Sequence, residues 1–160
     1  MTCRAIMTPI GLLTAAADKG AVVWLISGAM PPSRYPPTPE EEALLDRLEE
    51  ELEEYFCGTR RVFDLPVCLE GTPFQRQVWE HLRQIPYGET RTYGEIAAAL
   101  NNPRASQAVG SACKWNKILL LVPCHRVVGK NGALTGFSAA GGIAAKEYLL
   151  WLEQTSEETP

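Results

Sequence analysis

The sequence predicts an α/β N-terminal unit followed by a mainly α C-terminal unit built around a helix-turn-helix. Three observations carry this. Two apolar runs, "PIGLLTAAAD" and "AVVWLIS", meet at the turn signal Asp18-Lys19-Gly20, and an amphipathic helical pattern follows them. Charge then reverses: residues 1–70 carry six Lys/Arg against twelve Asp/Glu, whereas residues 71–150 carry nine against four. Beyond the reversal, two short helical patterns flank the turn Asn101-Asn102-Pro103.

In chain order, the two strands of Ile10 to Ser27 form a hairpin. "GAMPPSRYPPTPE" is Pro-rich and reads as a loop whose end leads into the helix "EEALLDRLEEELEEYFCG". Leu44, Leu45, Leu48, Leu52, Tyr55 and Phe56 share one face of that helix, and Gly58 stops it. "RRVFDLPVCL" is expected to be a second extended piece, with the domain boundary between Leu65 and Thr72. "TPFQRQVWEHLRQIPYGET" starts with a Thr cap and a Pro at the first helical position, and its stripe is Phe74, Val78, Trp79 and Leu82. A capped helix from Thr92 to Leu100 and a second from Arg104 to about Cys113 complete the helix-turn-helix. The second has small residues at Ala105, Ser106, Ala108, Gly110 and Ser111, expected on its exposed side, where they let a backbone press close to a partner. The domains are expected at residues 1–68 and 69–155, with an acidic tail at 156–160.

A hydrophobic fraction of 46% over 160 residues suffices for a packed core. No stretch reaches the roughly 18 to 20 apolar residues of a membrane span, and "MTCRAIMTPIGLL" has no signal-type character, so a cytoplasmic protein, or a nuclear one in a eukaryote, is expected. The five cysteines have no short C-x-x-C spacing, and His81 and His125 alone could join them around a metal. Neither a disulfide framework nor a metal site is predicted, and no cofactor is expected. The net charge of −4 hides a basic later chain that suits a phosphate-facing surface.

The run "LLLVPCHRVVG", Leu119 to Gly129, places a thiol, an imidazole and a guanidinium inside apolar sequence. Two readings stand side by side. A cysteine in such a run is ordinarily a small hydrophobe, and its neighbouring histidine a packed one. Alternatively Pro123 stiffens the end of a strand and presents Cys124 at its mouth, where a base and a fixed positive charge favour a thiolate.

The chain resembles the O6-alkylguanine-DNA alkyltransferases over nearly its whole length. The resemblance rests on "TPIG", "EYFCGTRRVFDLP", "GTPFQRQVWEHLRQIPYGETRTYGEIA", "AVG", "PCHRVVGKNGALTGF" and "GGIAAKEYLLWLE", in that order. It implies a ribonuclease-H-like α/β N-terminal domain and a winged-helix-like C-terminal domain. It implies direct reversal of DNA damage: one irreversible transfer of an alkyl group from O6 of guanine, or O4 of thymine, to the protein's own cysteine. The partner would be double-stranded DNA, entered through the minor groove with little sequence preference, by a monomer.

Residue by residue, the resemblance makes Cys124 the acceptor, His125 its base acting through a water, Glu153 the carboxylate that orients His125, and Asn116 the hinge asparagine. Tyr93 would face the flipped guanine, the carbonyls of Cys124 and Val127 would receive its amino group, and Phe137 and the amides around Ser138 would line the pocket. Arg104, Ala105, Ser106, Gln107, Ala108, Gly110 and Arg126 would face DNA. Three departures are specific to this chain. Gln107 stands where the family has an arginine finger. The hinge reads Asn116-Lys117 within "CKWNK" rather than Asn-Pro, and "TGFSAAGG" carries Phe137 for tyrosine in a loop longer by about two residues. Two rival functions are a sensor that binds alkylated bases without transfer and a cysteine hydrolase; retention of Cys124 weighs against the first, and the adjacent Cys-His order against the second.

Overall fold

The computed structural model describes residues 1–29, 36–134 and 142–156 of the chain. The architecture is mixed, with a three-stranded antiparallel sheet and five α-helices among the described residues. The hairpin extends further back than the sequence suggested. β1 (Thr2–Thr8) precedes β2 (Gly11–Asp18) and β3 (Ala21–Ser27), in the order β1-β2-β3. β1 escaped notice because in "TCRAIMT" only Thr2 and Ile6 are buried, so its alternation is weak. β2 is central, and Leu13 to Ala17 are buried on both of its faces. Lys19 (φ 51°) and Gly20 (φ 83°) turn the hairpin, and a two-residue turn with both φ positive matches the strand twist.

α1 (Pro39–Phe56) starts at Thr38, whose side chain accepts from the Glu41 amide, and Glu40, Glu41 and Glu42 complement the positive end of the helix dipole. Leu44, Leu45, Leu48, Leu52 and Tyr55 are buried beneath it, and α1 packs on all three strands. Gly58 (φ 80°) ends it; a Cβ there would lie 2.8 Å from Ser156 Oγ. The predicted extended piece after it is not a strand. Val67 alone bridges Val22, through Val22 N–H to Pro66 O (2.9 Å) and Cys68 N–H to Val22 O (3.0 Å). Pro66 has no amide hydrogen to continue a ladder.

α2 (Pro73–Leu82) has the reciprocal cap of Thr72 with Gln75, and its Trp79 Nε1 donates to Ala112 O (2.8 Å). That bond ties α2 to α4. β4 (Arg91–Thr92) runs straight into α3 (Tyr93–Ala99), capped by Thr92 and Glu95, and Asn101 (φ 60°) closes the turn before α4 (Ser106–Lys114). α3 packs on α4, the helix-turn-helix that the sequence predicts. One expectation fails here: Ala105 precedes α4 and is 9% exposed, part of the core rather than of the outer face. β5 (Val127–Val128) pairs in parallel with β4, and α5 (Gly142–Ser156) packs against the turn before β5. No described helix is long and apolar enough to cross a membrane.

Candidate active site

Residues 118–123 are a buried loop, not the strand expected from their apolar character. Leu120 takes φ 70°, Leu121 N–H bonds Leu119 O, and Val122 N–H bonds Ile118 O. Ile118 makes a single bridge to Leu25 of β3, and from Leu120 onward the chain turns its hydrogen bonds on itself, so no ladder continues. Cys124–Arg126 then makes one 3-10 turn, with all three residues buried.

Asn116 braces this loop from within. Its Nδ2 donates to Val122 O (2.9 Å) and to Cys124 Sγ (3.2 Å), while its Oδ1 accepts from Ile118 N–H (2.9 Å). A single amide thus fixes both ends of the loop and the thiol. His125 is fully buried, and its Nε2 lies 2.6 Å from Glu153 Oε2. Its Nδ1 is buried with no hydrogen-bond partner among the described residues.

Glu153, on α5 and fully buried, is the hub. Arg126 Nε donates to Oε1 (2.8 Å), Arg126 Nη2 to Oε2 (3.1 Å), Tyr55 OH to Oε2 (2.6 Å) and Gly88 N–H to Oε1 (3.2 Å). Burial opposes its charge, but His125 and Arg126 hold it well below the usual carboxylate range. Burial lowers the His125 pKa despite Glu153, so the imidazole is neutral at neutral pH. Nε2 then carries the proton toward Glu153, and Nδ1 presents a lone pair. Burial also raises the Cys124 pKa, against the pull of Asn116 and Lys146. The resting sulfur is therefore a thiol, which corrects the expectation of a preformed thiolate.

The remaining predicted residues divide. Tyr93, at the start of α3, is half-buried beside Gly110, whose added Cβ would lie 3.8 Å from Tyr93 Cε1. Val127 is fully buried on β5. Arg104, Gln107 and Ala108 are exposed, and Ser106 and Gly110 half-buried, on or next to α4. Arg126 does not face DNA as expected: it is 7% exposed, and its third bond goes to Ile85 O (2.8 Å). The carboxylate buried at Glu153 demands a cation, and among the described residues Arg126 supplies it. Phe137 and Ser138 lie outside the described residues.

Three contributors were missed. Tyr55 read as part of an apolar stripe, and nothing in sequence connects it to a residue 98 positions away. Gly88 contributes a backbone amide. Lys146 is 1% exposed, with Nζ 5.8 Å from the Tyr93 ring centroid, and its pKa is lowered by burial against the pull of Cys124 and Cys113. Its signal was present: Lys146 lies on the helical stripe of Ala145, Leu149, Leu152 and Glu153, where a lysine is out of place.

Residues 73–155 match the family model described as the DNA-binding domain of 6-O-methylguanine DNA methyltransferase. A methylated-DNA–protein-cysteine methyltransferase of Methanosarcina acetivorans is 53% identical over 114 residues, covering 71% of this chain and 72% of the relative. One from Mycobacterium tuberculosis is 44% identical over 154 residues, 95% and 92% of the two chains. The crystal structure of Mycobacterium tuberculosis OGT in complex with DNA aligns with a TM-score of 0.84 at 41% identity, covering 98% of this chain and 94% of that one.

Proposed function

The chain belongs to the 6-O-methylguanine DNA methyltransferase family, and from that premise we propose that Cys124 takes the alkyl group from O6 of guanine in double-stranded DNA onto its own sulfur. It is a methylated-DNA–protein-cysteine methyltransferase, a DNA repair protein that acts once. The observation that carries the assignment to Cys124 is the Asn116 amide, 3.2 Å from the sulfur, in a buried turn whose next residue, His125, is paired with Glu153. A sensor that only binds has no use for a buried thiol followed in the same turn by a neutral imidazole whose Nδ1 has no hydrogen-bond partner among the described residues.

The chemistry follows from the protonation states. Sγ attacks the saturated carbon in line with the C–O6 bond, so an S–C bond forms as the C–O bond breaks. The thiol proton passes toward Nδ1 of His125, and Glu153 stabilises the imidazolium through Nε2. Guanine leaves with negative charge on its O6 and ring nitrogens, which a Tyr93 hydroxyl neutralises by donating to the ring. Breaking the thioether would require water to expel a thiolate from a saturated carbon, a step with no activated leaving group, so the turnover is single. Because the base is unreachable within a duplex, the nucleotide is flipped, at a cost of a few kcal/mol. α4 does this from the minor groove, with Gln107 at the vacated stack and Arg104, Ser106, Ala108 and Gly110 against the walls. The sheet with α1 forms a ribonuclease-H-like domain of residues 1–68, and residues 69–155 form a winged-helix-like one; the reversal of charge after Glu70 and the capped start of α2 at Thr72 support that division.

The test is incubation with a duplex carrying O6-methylguanine, followed by intact and peptide mass measurement. One added methyl on the Cys124 peptide is expected, and none in Cys124→Ser, which still binds the duplex within a few fold. Methyl transfer by Cys124→Ser through another cysteine would overturn the assignment.

A further inference from the structure

α4 does not stop being two-faced at its last turn. At about 100° per residue, Gln107, Ala108, Ser111, Lys114 and Trp115 fall in one sector of roughly 120°, opposite Val109, Ala112 and Cys113. The first five are all exposed and the last three all buried. Trp115 continues the helix as its C-cap (φ −88°, ψ 7°), so its side chain leaves in register with that sector. Its indole is 59% exposed, among the most exposed large apolar side chains of the described residues. Lys114 and Lys117 beside it are exposed, Arg104 is exposed at the other end, and no carboxylate lies in the sector. In a chain of net charge −4, that is a local cationic face with an aromatic plate at one end.

We propose that Trp115 is a DNA-contacting residue, its indole packing on the deoxyribose edge of the minor groove while Lys114 meets a flanking phosphate. This rests on the placement of α4 in the minor groove proposed above. Eight residues of helix put Trp115 about 12 Å along the axis from Gln107, the length of three to four base-pair steps. The contact therefore lies on intact duplex to one side of the flipped nucleotide, where it serves affinity and not chemistry. A flat, rigid aromatic gives up little side-chain entropy on docking and offers a large apolar area to the sugar. At the far end of the same helix, Lys114 supplies the charge missing at Gln107 and the indole adds apolar contact.

The experiment measures fluorescence anisotropy of duplexes with a central O6-methylguanine against wild type, Trp115→Phe and Trp115→Ala. One duplex has long flanks, and two others are cut on one side or the other so that the flank stops short of the indole. With long flanks, Trp115→Ala should bind roughly three- to tenfold more weakly and Trp115→Phe should fall between. On one of the two cut duplexes the difference from wild type should vanish. The rate with free O6-methylguanine base should be unchanged, showing that the adjacent Asn116 still holds Cys124. Unchanged affinity of Trp115→Ala for the long duplex overturns the proposal. So does a full loss on both cut duplexes, a slowed free-base reaction, or a change in sedimentation with none in DNA binding, which would assign the indole to a protein surface. A wild-type protein that binds none of the duplexes would bring down the minor-groove reading itself.

Discussion

Tyr55 OH and His125 Nε2 both reach Glu153 Oε2, each at 2.6 Å, so a residue of α1 and the proposed base share one acceptor oxygen. Every donor on that oxygen weakens its hold on the imidazolium. Tyr55→Phe should therefore let His125 protonate at a higher pH and move the acid limb of the transfer rate upward. It should also cost about 1.5–3 kcal/mol, as for a hydrogen bond to a charged group. Single-turnover rates against pH, alongside urea denaturation, check both; lost stability with an unmoved acid limb would make Tyr55 a packing residue only.

His125→Ala should slow transfer at neutral pH by about 10²- to 10⁴-fold, the range of general-base assistance. Burial raises the Cys124 pKa, so the variant should recover only as pH climbs past that raised value. The wild-type rate should fall on the acid side below 6.5, because the His125 pKa is lowered from 6.5. A defect of the same size at every pH would deny His125 its role as base.

Arg126→Ala leaves Glu153 short of two of its hydrogen bonds and of its cation, and should destabilise the fold by about 3–5 kcal/mol. The salt slope of DNA binding by the fraction still folded should stay as in wild type, since Arg126 reaches no phosphate. A slope reduced by about one, with stability intact, would instead place Arg126 on DNA.

Stability should fall in two stages on acidification. The folded His125 resists protonation while the unfolded chain accepts a proton near 6.5, so stability declines as pH drops below 6.5. Glu153 has a lowered folded pKa, so its contribution is complete above 4.5 and drains away below it. Urea midpoints measured downward from neutral pH should trace both stages; stability that held level between neutrality and 4.5 would mean that His125 is not buried in its neutral form.

Gln107→Arg should accelerate repair of alkylated duplex and leave the free-base reaction unaltered. A deficit of about 1.4 kcal/mol in the flipped state corresponds to a tenfold slower duplex reaction. Comparing both substrates decides it: equal acceleration would put Gln107 in the pocket, and none would show that another residue fills the stack.

The helices were legible because their caps and stripes are local: Thr38, Thr72 and Thr92 each accept from the amide three residues on. The naming of His125, Glu153 and Asn116 with Cys124 was carried by motif resemblance, and in the structure Asn116 reaches Cys124 Sγ while His125 reaches Glu153. What escaped was set by tertiary contact. The Leu119–Val122 run is apolar enough for a strand, but a buried segment that bonds to itself and to Asn116 looks the same in sequence as one that pairs in a sheet. Arg126 and Tyr55 each carry ordinary surface or stripe chemistry until the buried carboxylate that claims them is placed.

The outer edge of β3 is closed by backbone from the later chain: Leu25 N–H bonds Lys117 O (2.8 Å) and Leu119 N–H bonds Leu25 O (2.9 Å), next to the Asn116 brace. An uncovered edge on "AVVWLIS", rich in β-branched and aromatic residues and free of charge, would be a template for chain-to-chain pairing. Local opening at residues 117–119 therefore bares an adhesive strand at the moment it loosens the grip on Cys124, so the first molecules to lose competence for transfer are also the first to aggregate. Solubility of the protein during storage should track the integrity of its reactive loop.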